Sequence, residues 1–248
     1  MQALYQQLTA LKLPGIREAL RAQTEQPNLY RELAFEERLA LLLEHEQQGR
    51  EQRRIARLIH QARFRLMAHI EQIDYRADRQ LDKASMRSLA QGQWLAHHQN
   101  LLITGATGCG KTYLACALGR HFCQQGRSVL YFRLKELLET MYLAQAEGSY
   151  RKLVNKLASC ELLILDDWGL EPLTPAQRSD LLELVDARHD THATLIASQL
   201  PLESWYPMIG ESTHADAILD RLIHGALRIE LKGESMRKAR LDLTDPDH

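Results

Sequence analysis

Long apolar segments are absent from this chain of 248 residues. No run approaches the roughly 18 to 20 apolar residues that a membrane-spanning helix requires, and the first residues lack the basic and then apolar pattern of a signal peptide. We therefore expect a cytoplasmic protein that has no membrane partner.

Cysteine is scarce, and its spacing argues against both disulfide bonds and a zinc site. The four cysteines form no C-x-x-C pair, which disfavours both a disulfide framework and a zinc site. We expect reduced thiols at all four positions, which are Cys109, Cys116, Cys123 and Cys160.

An excess of charge of either sign is also missing. The chain has 31 basic and 32 acidic side chains, a formal net charge of -1, and such a balance does not by itself suggest a nucleic-acid partner. However, 23 of the basic residues are arginine, the side chain best shaped for bidentate phosphate contacts. The charge is also uneven, since residues 1–98 carry +3 and residues 99–248 carry -4. A localised basic face is therefore compatible with a net charge of -1 for the whole chain.

Apolar residues at helical spacing dominate residues 1–70, and no convincing strand interrupts them. The spacing predicts short helical pieces on either side of Pro14, a helix at about 30–46 and a separate helix at about 50–66. Residues 71–98 read as a connector with a helix at about 85–96. We therefore expect a small, all-helical N-terminal domain at 1–70.

The helix predicted at 50–66 has a basic face. Residues 50–65 contain six arginines and one acid, a local charge of +5, and Arg50, Arg53 and Arg57 lie opposite the apolar stripe. Such a face can bind DNA phosphates without reading sequence, whereas a solvated surface or a protein contact is the alternative. The candidate DNA contacts are Arg50, Arg53, Arg54 and Arg57.

The pattern changes at about residue 99. Five short apolar runs alternate with helical stretches, which predicts an α/β domain at 99–248 with a parallel five-stranded sheet covered on both faces. The runs are 100–104, 128–132, 162–165, 194–197 and 227–231.

A glycine-rich loop follows the first of these runs. Residues 105–112 match the phosphate-binding motif G-x-x-x-x-G-K-[ST] between a predicted strand and a helix. Lys111 would neutralise the β- and γ-phosphates of ATP, and the Thr112 hydroxyl would bind Mg²⁺. The candidate nucleotide contacts are Gly105, Ala106, Thr107, Gly108, Cys109, Gly110, Lys111 and Thr112.

Two adjacent acids end the third apolar run. Neighbouring carboxylates at a buried strand end are unfavourable unless a cation or a proton offsets their charge, and Mg²⁺ would supply that partner. Asp166 would support the metal, and Asp167 would polarise the attacking water, a pairing that suits hydrolysis.

These motifs, together with residues 198–205, 215–222 and 233–237, resemble the IstB family, the helper ATPases of insertion-sequence transposons. That family is related to the DnaC and DnaA branch of the AAA+ ATPases. The resemblance implies a P-loop AAA+ fold and an ATPase that uses ATP and Mg²⁺. It further implies a homo-oligomer on duplex DNA, with active sites shared between subunits, that assists a partner transposase in target-site selection.

The resemblance also implies roles for single residues. Arg221 matches the arginine finger that reaches the γ-phosphate of a neighbouring subunit, and Arg237 matches the second sensor arginine. Gln199 stands where many relatives carry an asparagine that orients the attacking water. Asp167 stands where most AAA+ enzymes carry glutamate.

Three other functions remain open at this point. A DnaC-like replicative helicase loader shares the same motifs, and only the family match separates it from a transposition helper. A small-molecule P-loop kinase would lack a finger supplied by a neighbour. A nucleotide-gated scaffold would bind ATP and barely hydrolyse it.

Overall fold

The chain forms two compact units, residues 1–57 and residues 58–248. The computed structural model describes residues 1–75, 80–210 and 213–233. None of the helices in these ranges is both long enough and apolar enough to cross a bilayer. The division into domains at residues 70 and 98 stays a prediction.

The first unit is helical, as its apolar spacing predicts. Helices α1 (Gln2–Ala10), α2 (Pro14–Glu25) and α3 (Pro27–Tyr30) are short, and the last two begin at a proline, which suits the first helical position. Helix α4 (Phe35–Ala62) has 28 residues. The prediction of two separate helices at 30–46 and 50–66 was therefore wrong. A glycine inside a helix costs only about 1 kcal/mol, so Gly49 does not end it.

A buried carboxylate joins α2 to α4 within the first unit. Glu46 accepts hydrogen bonds from the backbone N–H groups of Gly15 and Ile16, at 2.7 and 3.2 Å, and from Arg50 Nε at 2.7 Å. Burial tends to raise the pKa of Glu46, but these donors hold it below its ordinary value. The carboxylate thus satisfies N–H groups that the first turn of α2 leaves unpaired.

The second unit contains the predicted sheet, and all five strands pair in parallel in the order β2-β3-β4-β1-β5. The α/β fold class and the five strand positions are confirmed. The strands are β1 (Leu101–Gly105), β2 (Val129–Arg133), β3 (Leu162–Trp168), β4 (Ala193–Ser198) and β5 (Leu227–Leu231).

Successive residues of the central strands enter two separate cores, one on each face of the sheet. Leu101, Ile103 and Ile164 belong to one core, whereas Leu102 and Leu163 belong to the other. The four cysteines are buried free thiols, and burial raises the pKa of Cys116 to about 11, the pKa of Cys123 to about 12 and also the pKa of Cys160. They are therefore structural rather than reactive.

Helices cover both faces of this sheet. The region predicted as one helix at 85–96 is two helices, because Gly92 adopts a left-handed conformation (φ 72°) that ends the first of them. A capping box between Thr174 and Gln177 begins α10. The helices are α5 (Lys83–Gln91), α6 (Gln93–Ala96), α7 (Lys111–Gln124), α8 (Leu134–Ala146), α9 (Tyr150–Ser159), α10 (Pro175–Arg188), α11 (Trp205–Ile209) and α12 (Thr213–Ile223).

A buried guanidinium connects α9, α10 and β4. Arg188 is 3% exposed and donates to the carbonyl oxygens of Leu157 at 2.5 Å and Cys160 at 2.9 Å, to the carbonyl of Ala193, and to Thr194 Oγ1 at 3.1 Å. It therefore satisfies carbonyl groups where α9 ends and β4 begins.

We expect Arg188→Ala to lower the free energy of unfolding by about 3 kcal/mol, because the buried carbonyl groups lose their donors. Urea unfolding followed by circular dichroism measures the change. Ser179→Ala, an exposed position on the same helix, is the control and should stay within about 0.5 kcal/mol of the wild type. Equal stability of the two variants would contradict this role of Arg188.

Candidate functional site

The phosphate-binding motif forms a tight loop between β1 and α7. Its glycines Gly105, Gly108 and Gly110 have φ values of 145°, 85° and 94°, which side chains other than glycine rarely adopt. A Cβ atom on Gly105 would collide with the carbonyl oxygen of Leu231 at the end of β5. The loop can therefore bring its backbone N–H groups close to an anion at the amino end of α7.

Lys111 lies inside this loop and is 7% exposed. Its ammonium group donates to the carbonyl oxygens of Gly105 at 2.7 Å and Ala106 at 2.8 Å. The Cys109 thiol is buried 3.8 Å from the same nitrogen. The positive charge thus stands within the curve of the loop, where phosphate oxygens would meet it.

Oxygen ligands suited to Mg²⁺ lie beside the loop. The Thr112 hydroxyl donates to Asp166 Oδ2 at 2.8 Å, and the Tyr131 hydroxyl donates to the same oxygen at 2.7 Å. Asp166 is 1% exposed. A hydroxyl and a carboxylate are the ligands that Mg²⁺ prefers, so Thr112 and Asp166 fit the role of holding it.

Tyr131 is a member of the site that the sequence did not reveal. It lies inside an ordinary apolar strand, and only the pairing of β2 with β3 brings its hydroxyl to Asp166. Burial and the neighbouring carboxylate raise the pKa of Tyr131, so its hydroxyl stays protonated and remains a donor.

Asp167 follows in a left-handed backbone conformation, with φ 56°. Its N–H donates to Asp166 Oδ1 at 2.9 Å. Burial and the charge of Asp166 raise the pKa of Asp167, while nearby cations oppose this shift. Two of these cations are Arg65, whose Nη1 is 3.4 Å from Asp167 Oδ2, and Arg133, whose Nε is 3.9 Å from it. Sequence reasoning missed both arginines because they are remote from Asp167 along the chain.

The structure brings Gln199 to the phosphate loop. The Thr107 hydroxyl donates to Gln199 Oε1 at 2.5 Å, directly after the end of β4. The amide side chain predicted to orient water and the loop predicted to hold phosphates therefore belong to one site.

Arg221 lies elsewhere, at the edge of the sheet where the strands begin. The side chain of Asn100, the residue before β1, donates to the carbonyl oxygen of Arg221 at 3.0 Å. Five-residue β1 extends about 16 Å from there to the phosphate loop. The guanidinium is held by Asp186 Oδ1, at 2.8 Å from both Nε and Nη2. Arg237 lies outside the described residues.

Comparison with known proteins identifies the family. A sequence model described as "IstB-like ATP binding protein" matches residues 6–242. The insertion sequence ATP-binding protein y4pL of Sinorhizobium fredii (strain NBRC 101917 / NGR234) is 47% identical over 207 residues, which cover 84% of each chain. This chain belongs to the IstB-like family.

Solved structures support the fold of this IstB-like protein. The replication initiator DnaA bound to AMPPCP and single-stranded DNA superposes with a TM-score of 0.58 at 18% identity, over 73% of this chain and 56% of that chain. The DnaC helicase loader gives a TM-score of 0.53 at 20% identity, over 66% of this chain and 97% of that chain. The IstB-like chain thus spans little more than half the length of the DnaA chain. Its membership of this family makes the chain an ATP-binding protein and an ATPase, whereas the solved structures show the fold alone.

The candidate DNA-binding arginines of this IstB-like protein lie on α4 in the first unit. Arg50 and Arg53 share the buried carboxylate of Glu46, at 2.7 and 3.5 Å, and Arg54 lies 3.6 Å from Glu51. The side chains of these three arginines are 53–60% exposed. The acids offset part of the positive charge that a count of arginines suggests.

We expect Tyr131→Phe to raise the Mg²⁺ concentration that gives half-maximal ATP hydrolysis by about tenfold, because Asp166 loses the donor that orients it. A Mg²⁺ titration of the hydrolysis rate measures this. Tyr150→Phe is the matched control, since its hydroxyl bonds to Asp180 and Glu183 rather than to Asp166. An unchanged Mg²⁺ requirement in Tyr131→Phe would remove Tyr131 from the metal site.

Proposed function

We propose that this chain is an ATP-dependent, DNA-binding helper of transposition. It assembles into a homo-oligomer on duplex DNA and assists a partner transposase in selecting the target site. The observation that carries the proposal is that Arg221 lies beside the start of β1, whereas the phosphate loop follows the end of β1, in a chain of the IstB-like family.

The proposed hydrolysis uses the residues around the phosphate loop. Lys111 and the loop N–H groups bind the β- and γ-phosphates of ATP. Thr112 and Asp166 hold Mg²⁺, which supplies positive charge to the phosphate oxygens when it is bound. Asp167 accepts a hydrogen bond from the attacking water, and Gln199 orients that water beside the loop. Arg237 contacts phosphate from the same subunit, as the family resemblance implies.

The proposed oligomer follows from the position of Arg221. The length of β1, about 16 Å, separates Asn100 and the backbone of Arg221 from the phosphate loop of the same subunit. A role for Arg221 at the γ-phosphate therefore requires ATP bound to a neighbour. Asp186 holds the guanidinium on the surface of α10 and α12, where it is 30% exposed. Hydrolysis then depends on assembly, because each site is completed by the next subunit.

The proposed DNA contact uses the arginine face of α4. The exposed guanidinium groups can replace counterions along duplex DNA, and repetition of the face across an oligomer strengthens weak contacts. The DnaA neighbour, which is bound to single-stranded DNA, offers a further reason to test nucleic-acid binding.

Family membership favours this function over the helicase loader. The relative y4pL is described as an insertion sequence protein, whereas the DnaC loader resembles this chain at only 20% identity. A gene for a DDE-type transposase beside the gene for this chain would support the transposition helper. A neighbouring gene for a replicative helicase would support the loader.

The proposed sharing of a site between subunits can be tested by mixing two inactive variants. Lys111→Ala and Arg221→Ala should each lose hydrolysis by at least about 1,000-fold, and Arg221→Ala should still bind ATP. Equal mixing of the two variants should restore about a quarter of the wild-type rate, because half of the subunits keep Lys111 and half of their neighbours keep Arg221. Phosphate release measures the rates. A mixture that stays inactive would favour the small-molecule kinase, and a slow wild type matched by Asp167→Asn would favour the scaffold.

The proposed DNA contact of α4 can be tested through the salt dependence of binding. Affinity for duplex DNA should fall steeply between about 50 and 200 mM salt, and replacing Arg50, Arg53 and Arg57 by Ala should flatten the log–log slope by about 0.9 for each phosphate that the protein no longer neutralises. Fluorescence anisotropy of a labelled duplex measures the slope. The control is Arg21→Ala, an exposed arginine that pairs with Glu25 on α2. Arg57→Ala alone is a second comparison, because it leaves the ion pairs of Glu46 with Arg50 and Arg53 intact. An unchanged slope in the triple variant would remove DNA binding from this face.

A further inference from the structure

The segment that follows α4 packs closely against the sheet and α7 within the second unit. After Ala62, the last residue of the helix, Arg63 adopts a left-handed conformation (φ 54°) that redirects the chain. The ring of Phe64 then packs against Gly119 of α7 and Ile164 of β3. A Cβ atom on Gly119 would lie 2.6 Å from the Phe64 ring, so glycine is needed here to admit it.

The position of Phe64 determines where the next residue can reach. Ala62 and Ala68 are 1% and 0% exposed, and the carbonyl oxygen of His69 accepts a hydrogen bond from Tyr113 on α7, so the segment is held on both sides of Arg65. Arg65 extends from this anchored backbone to the carboxyl end of β3. Its Nη1 atom donates to Asp167 Oδ2 at 3.4 Å.

Asp167 is an acid whose orientation needs support. It is one methylene shorter than glutamate, it neighbours the buried carboxylate of Asp166, and 24% of its side chain is exposed. Two guanidinium groups face the same oxygen, but Arg133 is also 3.4 Å from Glu136. Among residues 1–75, 80–210 and 213–233, Arg65 forms an ion pair with no acid other than Asp167.

We propose that Arg65 is a positioning residue of the hydrolytic site. Its guanidinium holds Oδ2 of Asp167 and leaves the second carboxylate oxygen to accept the hydrogen bond of the attacking water. The inference rests on the proposed role of Asp167 in hydrolysis, and it assigns the support of that acid to the segment directly after α4.

The test compares three variants of the full chain. Arg65→Gln removes the charge, Arg65→Lys retains it, and Arg63→Gln is the control, because it removes the same charge two residues earlier at an exposed position. Steady-state hydrolysis gives kcat and KM for ATP, and a fluorescent ADP analogue reports nucleotide binding. Thermal unfolding reports the stability of each variant.

We expect Arg65→Gln to lower kcat about 10- to 100-fold, with KM and ADP affinity within about twofold of the wild type, because only the geometry of the attack is disturbed. Arg65→Lys should recover most of kcat, and Arg63→Gln should match the wild type.

Several results would overturn the proposal. An unchanged or raised kcat in Arg65→Gln would mean that the guanidinium is idle or blocks the acid. An equal loss in Arg63→Gln, or a loss in Arg65→Gln that Lys does not restore and that accompanies a lower Tm, would indicate a structural role. If Asp167→Asn instead hydrolyses ATP at the wild-type rate, the proposed role of Asp167 itself fails, which is a separate outcome.

Discussion

The hydrogen bonds of one buried carboxylate connect the parts of the nucleotide site. Asp166 accepts from Thr112 at the start of α7, from Tyr131 on β2 and from the backbone N–H of Asp167. A carboxylate that is only 1% exposed is stable only with such donors, so the phosphate loop and the ends of two strands must meet at this point. This junction ties the amino end of α7 to β2 and β3.

The parallel sheet places the charged residues of the phosphate loop and the acid pair at one end of its strands and Arg221 at the other end. The loop, the acid pair and Gln199 collect where strands end, because parallel strands bring their carboxyl ends to one edge. Arg221 and its partner Asp186 lie near the opposite edge. The proposed assembly of identical subunits would use this separation, because the phosphate loop and Arg221 lie on different surfaces of one chain.

The sequence predicts the fold better than it predicts the site. Four of the five strands were predicted from buried apolar runs, and β5 was predicted from apolar residues that alternate with Arg228 and Glu230. The phosphate loop was predicted because its motif is local. The break predicted inside α4 was wrong, since tertiary packing outweighs the small helix penalty of a glycine. Tyr131, Arg65 and Asp186 could not be found in this way, because their roles arise from strand register and from contacts between residues far apart in sequence.

The left-handed backbone at Asp167 limits which acid this position can accept. Aspartate and asparagine tolerate that conformation better than longer side chains do, so the backbone itself favours Asp over the Glu of most AAA+ enzymes at this position. Exchanging the two acids is therefore not a conservative substitution here. Asp167→Glu should therefore strain the backbone at the end of β3 as well as lengthen the acid.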